Sequence, residues 1–144
     1  MKTKNDSDLK RVLEKDGVHC LELKKYENCS TINLAELRED LGMGSWAVRI
    51  AYNDLFGGVV IQQQPGEGNR KHFHHDADEN WVILDGEWEW WIDGIGKRRV
   101  KQHDIIVVPR GVWHQITCIG DSPGVRYAIT RPDVDHVYED NNDK

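Results

Sequence analysis

The residues GEGNRKHFHHDADENWVILDG, at positions 66–86, carry the strongest pattern in the chain: two histidines at alternate positions, followed by a glutamate. Side chains at positions i and i+2 of a β-strand lie on the same face, so His72 and His74 point the same way. Glu79 follows after a short turn and opens the next strand, which runs antiparallel beside the histidine pair. The stretch therefore predicts a strand–turn–strand unit that brings two imidazoles and one carboxylate together.

A third imidazole is expected from His114, which opens a later strand after Pro109-Arg110-Gly111. Three imidazoles and one carboxylate suit one divalent transition metal ion, such as Fe, Mn, Ni, Cu or Zn. Four protein ligands leave room on a five- or six-coordinate ion for a substrate, water or O2. His75 has the opposite parity and is expected to face solvent, with metal ligation as its alternative. The remaining histidines are expected on the surface: His19, His103 and His136.

Short apolar segments separated by Gly, Pro, Asn and Asp recur at intervals of roughly 8 to 12 residues, which is typical of a β-sandwich or barrel. Strands are predicted at 46–52, 59–61, 72–74, 80–84, 88–92, 105–108, 114–119 and 125–130. One short helix is predicted near 33–41, because Asn33 and Glu36 form a capping-box pattern and Gly42 suits a helix end. The predicted class is mostly β, with a short N-terminal helical segment.

The composition narrows the function classes. A chain of 144 residues favours one domain, and its 25 acidic against 19 basic residues give a net charge of −6. That charge argues against nucleic acid or an anionic membrane as a partner. The N-terminal residues lack the apolar stretch of a signal peptide, so we expect a cytoplasmic protein. Three cysteines without a CxxC pair do not indicate a disulfide framework or a zinc ribbon.

The segment 66–86 resembles the first motif of the cupin superfamily. That motif consists of Gly, five residues, His-x-His, four residues, Glu, six residues and Gly. Every anchor is present, at Gly66, His72, His74, Glu79 and Gly86. The second cupin motif is similar but incomplete.

In that second motif, Pro109, Gly111 and His114 match the Pro-x-Gly-x-x-His core. His103 replaces the usual leading glycine, and Cys118 stands where an asparagine is common. Neither departure removes a metal ligand.

The resemblance covers about 46–132 and implies a cupin double-stranded β-helix, or jelly-roll, barrel. It also implies four metal ligands: His72, His74, Glu79 and His114. Residues 1–45 would then form an N-terminal arm with the short helix. Residues 133–144 are predicted to be a loose acidic tail.

Strand parity predicts which side chains line the pocket. Arg70 shares the side of His72 if the strand begins early enough, and Trp81 shares the side of Glu79. Arg126 and Tyr127 have opposite parity, so only one of them faces the metal. The expected substrate-binding residues are Gln62, Arg70, Trp81, Trp90 and Arg126. Plain core packing is the alternative for the tryptophans, and solvation is the alternative for the arginines.

The resemblance implies a metal-dependent enzyme that acts on a small polar metabolite (a carboxylate, keto acid or sugar derivative). We favour Fe(II)-type dioxygenase chemistry, with Glu79 and Tyr127 as candidate catalytic residues. The alternative is an isomerase, epimerase or lyase of a sugar or sugar phosphate, which needs a proton shuttle; Tyr127, His75 and Glu89 are the candidates. A metal-free sugar epimerase and a non-catalytic metabolite-binding cupin are further alternatives. Trp91 is predicted to face outward at an interface, and we expect a homodimer.

Overall fold

The structure, a computed structural model, describes residues 2–3 and 20–138 and contains two β-sheets and one helix. The helix, α1, spans Leu34–Leu41. The strands, in chain order, are β1 (Lys2–Thr3), β2 (Trp46–Tyr52), β3 (Gly57–Gln63), β4 (Gly68–Phe73), β5 (Glu79–Asp85), β6 (Glu87–Ile92), β7 (Gly96–Lys101), β8 (Ile105–Val108), β9 (His114–Ile119), β10 (Gly124–Thr130) and β11 (His136–Tyr138).

The two sheets interleave strands that are distant in sequence. One sheet has the order β1-β11-β4-β9-β6-β7, and the other has the order β2-β3-β10-β5-β8. Neighbouring strands within each sheet run antiparallel, and β4 pairs with β9 so that His72 lies opposite His114. This arrangement is a double-stranded β-helix, and it confirms the predicted mostly-β class with a short N-terminal helix.

The inner faces of the two sheets bury an apolar core. Alternation along each strand directs every second side chain inward, so that Trp88 and Trp90 on β6 are both fully buried. The Trp81 ring on β5 meets the Trp90 ring edge-on, with 5.3 Å between centroids. These three tryptophans belong to one apolar cluster, and Trp81 borders the end of the barrel where buried polar side chains gather, called the polar end below.

Helix α1 covers the outer face of the five-stranded sheet. Its first turn is capped by the Asn33 side chain, which accepts hydrogen bonds from the backbone N–H groups of Ala35 and Glu36. The helix ends at Gly42, whose φ of 89° favours glycine. Leu37 is buried in a second apolar cluster between the helix and the sheet, together with Trp46 and other residues. The predicted helix is confirmed.

Three differences from the sequence-based strand assignment have simple causes. Strand β7 was not predicted, because its charged sequence GKRRVK lacks the apolar residues on which the strand assignment relied. It lies at a sheet edge, where charged side chains are common. Strand β4 begins at Gly68, well before His72. The prediction of a loose tail at 133–144 is wrong for β11, which pairs with β4 on one side and with β1 on the other.

The remaining residues of that tail, 139–144, lie outside the described residues, as do residues 1 and 4–19 of the predicted N-terminal arm. Within the described part of the chain, no helix has the length and apolar character needed to cross a membrane.

Candidate metal centre

The four predicted ligands converge at the polar end of the barrel. His72 lies on β4, His74 follows the end of that strand, Glu79 opens β5 and His114 opens β9. All four side chains are buried, with Glu79 the most exposed at 8%. The His72 and His114 rings are 4.3 Å apart between centroids, and Nε2 of His74 lies 2.8 Å from Oε1 of Glu79. The fold therefore assembles the cluster from three separate stretches of the chain.

Backbone carbonyls fix the orientation of each imidazole. Nδ1 of His72 lies 2.7 Å from the Arg70 carbonyl, and Nδ1 of His74 lies 2.8 Å from the Asp135 carbonyl. Nδ1 of His114 is held in the same way, 3.0 Å from the Val112 carbonyl. An imidazole that donates Nδ1–H to a carbonyl presents its Nε2 on the opposite side of the ring, as metal-ligating histidines commonly do.

The protonation of the cluster suits a cation. Burial lowers the pKa of His72 well below its ordinary value, and burial also lowers the pKa of His114, so both rings are neutral at pH 7. Burial alone would raise the pKa of Glu79, but the adjacent His74 outweighs it and the pKa of this carboxyl is lowered. Burial likewise opposes protonation of His74, but Glu79 raises the pKa of this ring. The site thus holds an ionised carboxylate beside imidazole nitrogens.

One buried nitrogen shows that the cluster fits a metal ion. Nε2 of His114 is buried and has no hydrogen-bond partner among the residues that the structure describes. Such a group is costly to leave unpaired unless a ligand satisfies it. Two sets of three residues could each hold a metal ion, with donor atoms within 4.8 Å of one another: His74, Glu79 and His114, and also His72, His74 and His136.

A cavity of about 240 Å³ leads from this cluster to the surface. Glu79, His72 and Trp81 line its inner end, and Arg126 and Asn69 form part of its wall. The Trp81 ring also contacts His114 edge-on, with 5.5 Å between centroids. Trp81 therefore lies where strand parity predicted it, and of the two opposite-parity residues Arg126 and Tyr127, it is Arg126 that lines the cavity.

Arg126 is the charged group of that wall. Its side chain is 1% exposed, with Nη2 donating to Oδ1 of Asn69 at 2.6 Å and the guanidinium 4.6 Å from the centre of the Trp88 ring. Its Nε and Nη1 have no hydrogen-bond partner within the described part of the chain. Burial lowers the pKa of Arg126 to about 9, so the group remains a cation at pH 7.

Two of the predicted site residues lie on the outer face of the five-stranded sheet. Gln62 is fully buried beneath α1, where it donates to the carbonyls of Gly42 and Gly44 and accepts from Arg38. Tyr127 packs in the same outer cluster, so close to Gly58 that a side chain at that glycine would overlap the Tyr127 hydroxyl. The predicted roles of Gln62 in substrate binding and of Tyr127 in catalysis are not supported, because neither lines the cavity.

Arg70 and Trp90 also lie away from the cavity. Strand β4 carries a β-bulge between Asn69 and His72, so Asn69 faces inward instead of Arg70. Arg70 places its guanidinium 3.9 Å from the centre of the Tyr138 ring. Trp90 is part of the apolar core, as expected in the alternative in which the tryptophans pack in the core and do not bind substrate. Parity alone fails at Arg70, because it assumes a strand without irregularity.

His136, predicted on the surface, lies in the cluster. Its ring centroid is 4.8 Å from the centroids of both His72 and His74, and its side chain lines the cavity. It comes from β11, within the segment predicted to be a tail. The alternation of His136 and Tyr138 about Val137 was the available signal, but three residues are too few to predict a strand.

The family follows from a sequence comparison. A model of the cupin domain matches residues 59–130, which is 72 of the 144 residues, and the chain belongs to the cupin family. A search of curated protein sequences found no significant match.

Solved structures with the same fold include KdgF from Halomonas sp., at 20% identity and a TM-score of 0.57, covering 62% of this chain and 81% of that one. TT1209 from Thermus thermophilus has 18% identity and a TM-score of 0.61, covering 72% of this chain and 98% of that one. An RmlC-like cupin family protein from Methanocaldococcus jannaschii has 17% identity and a TM-score of 0.57, covering 64% and 84%. At such identities the likeness shows the double-stranded β-helix fold alone.

Proposed function

We propose that this cupin is a metal-dependent enzyme that binds a small anionic metabolite and oxidises it with O2. The observation that carries the proposal is the pairing of two unsatisfied groups at one cavity. Among the residues that the structure describes, Nε2 of His114 lacks a partner behind His72, which lines the cavity, and Nε and Nη1 of Arg126 lack partners in the cavity wall. A cation would satisfy the first group and an anion the second.

His72, His74, Glu79 and His114 would hold the metal ion. A divalent transition metal at such a site supplies a Lewis acid and, as Fe(II), a position for O2. The chain's own part is to keep the Nε2 atoms directed inward through the carbonyls of Arg70, Asp135 and Val112.

Arg126 would bind and orient the substrate. A guanidinium matches a carboxylate or phosphate through two parallel hydrogen bonds, and burial strengthens that attraction. The Asn69 side chain fixes Nη2, which leaves the Nε and Nη1 side of the group for the ligand. A carboxylate there would lie beside Trp81, whose ring forms an apolar wall.

Oxidation is favoured over isomerisation because the three proton-shuttle candidates lie elsewhere. Tyr127 packs on the outer face of the sheet, His75 is exposed, and Glu89 faces outward near Lys97. An oxidation would not depend on a further base from the chain, whereas an isomerisation would.

The test is an O2-uptake screen of the Fe(II)-loaded protein over small carboxylates, keto acids, thiols and sugar phosphates. We expect uptake with a carboxylate or keto acid, loss of that uptake in His72→Ala, and retention in Tyr127→Phe. Absence of uptake with every compound, together with isomerisation or cleavage of a sugar phosphate, would refute the oxygenase.

One observation favours that second candidate, a sugar or sugar phosphate isomerase or lyase. His136 lines the cavity beside the metal cluster, where an imidazole could move a proton. The role of His136 therefore separates the two functions.

A further inference from the structure

We propose that His136 is a fifth protein ligand of the metal, supplied by the C-terminal strand β11 and absent from both cupin motifs. This inference rests on the proposed function in one respect, the binding of a metal by the histidine cluster. It assigns to His136 a role that competes with its use as a base, since a ring bound to the ion through its nitrogen cannot take a proton there.

Strand pairing places His136 on the correct face. Strand β11 runs antiparallel to β4, with Val137 opposite Phe73 and Tyr138 opposite His72. The same register sets His136 opposite His74, and residues directly opposite each other on neighbouring strands project to one face of the sheet. The fold thus adds one imidazole to the face that already carries the His-x-His pair.

The spacing within the cluster places His136 as close to His72 and His74 as those two rings are to each other. Its ring centroid lies 4.8 Å from His72 and 4.8 Å from His74, whereas those two rings are 5.0 Å apart. The His74 and His114 rings, both predicted ligands, are 5.5 Å apart. The donor atoms of His72, His74 and His136 lie within 4.8 Å of one another. Two nitrogens on one ion, with bonds of about 2.1 Å, can be about 4.2 Å apart, so a small side-chain movement suffices.

The position of β11 is also fixed. The carbonyl of Asp135, the residue before His136, accepts a hydrogen bond from Nδ1 of His74. The His136 ring is parallel to the Tyr138 ring within 11°, and Tyr138 is buried. The hydrogen bond that orients His74 therefore also fixes the backbone directly before His136.

A fifth ligand narrows the choice of metal. Four imidazoles and one carboxylate exceed the four-coordinate tetrahedral shell that Zn(II) adopts in most protein sites. They suit a six-coordinate ion such as Fe(II), Mn(II) or Ni(II), with a single position left open.

The experiment is a Co(II) titration of the whole protein under reducing conditions, followed by visible and near-ultraviolet absorption. His136→Ala is expected to weaken Co(II) binding by at least about tenfold, whereas His75→Ala, which removes an exposed neighbouring imidazole, leaves it unchanged. His136→Cys is expected to gain a thiolate-to-cobalt charge-transfer band that is absent from wild type and from His75→Cys.

The cysteine variant guards against a folding defect, because its signal appears only when residue 136 reaches the ion. Weaker binding by His136→Ala without the band in His136→Cys would trace the effect to a displaced β11 and overturn the ligand role. Wild-type affinity in His136→Ala, with binding lost in His72→Ala, would also overturn it while leaving the metal site intact. Unchanged affinity in His72→Ala would instead refute the metal site of the proposed function.

Discussion

Polar side chains are buried both beneath helix α1 and at the polar end of the barrel, but the two places differ in how these side chains are hydrogen-bonded. Beneath the helix, Gln62 uses its amide fully: its nitrogen donates to two carbonyls, and its oxygen accepts from Arg38, which also forms an ion pair with Asp85 at 2.8 Å. In the barrel, Arg126 and His114 keep buried nitrogens without a partner among the described residues. The hydrogen bonds of Gln62 stabilise the fold, whereas the unpaired nitrogens of Arg126 and His114 are those to which the proposed function assigns a ligand.

The largest expected effect separates the metal cluster from its exposed neighbour. His72→Ala or His114→Ala should lower metal affinity by at least about tenfold, because each removes a direct bond to the ion. His75→Ala should leave affinity unchanged, since this ring is exposed. Elemental analysis of protein purified without a histidine tag measures the difference. If His75→Ala removes the metal and His74→Ala does not, the assignment of ligands by strand parity is wrong.

The second prediction contrasts two arginines. Burial in the folded state lowers the pKa of Arg126 to about 9, so the native state opposes the charged form and this cost is present throughout neutral pH. Arg126→Met should therefore raise the free energy of unfolding of the metal-free protein, by about 1–4 kcal/mol, while abolishing anion binding.

The matched control is Arg38→Met, which removes an ion-paired arginine and should lower stability. Urea denaturation measures both variants, and quenching of tryptophan fluorescence follows anion binding, because Trp81 and Trp88 lie near Arg126. A destabilised Arg126→Met that still binds the anion would make Arg126 a structural residue like Arg38.

The third prediction concerns Gln62 in the layer beneath helix α1. Gln62→Leu should lower the free energy of unfolding by roughly 1–3 kcal/mol, because the partly buried hydrogen bonds of Gln62 with Arg38 and with the carbonyls of Gly42 and Gly44 are lost. Metal content and substrate turnover should match wild type. Loss of turnover at unchanged stability would move Gln62 back to the substrate-binding role that its sequence context suggested.

The smallest expected effect is that of Tyr127→Phe. The hydroxyl lies on the outer face of the sheet, away from the cavity, so metal binding and turnover should not change and stability should change by less than about 0.5 kcal/mol. A shift in the pH profile of turnover would contradict this and restore Tyr127 as a candidate acid or base.

The sequence-based assignments succeeded where a structural feature is set by neighbouring residues, and failed where it is set by an irregularity or by a distant element. The capping residues of α1 and the alternation in β5, β6 and β9 act over a few positions, and those elements formed where the sequence placed them. The assignment of Arg70 to the pocket failed because a β-bulge changes which side chains of β4 face inward. The assignment of Gln62 to the pocket failed because its face is covered by a helix that ends at Leu41, more than 20 residues earlier in the chain, and no local pattern states which face a helix will cover.

By itself, the sequence determined the mostly-β class and the shared face of His72 and His74, because residue spacing along a strand dictates which side chains share a face. The double-stranded β-helix, and Glu79 and His114 as further ligands, were implied by the resemblance to the cupin motifs. Only the tertiary structure decided that His136 joins them and that Arg126 is left without a full set of partners among the described residues. Both facts depend on which distant strands become neighbours. That choice is made by the packing of the whole barrel and not by any short segment.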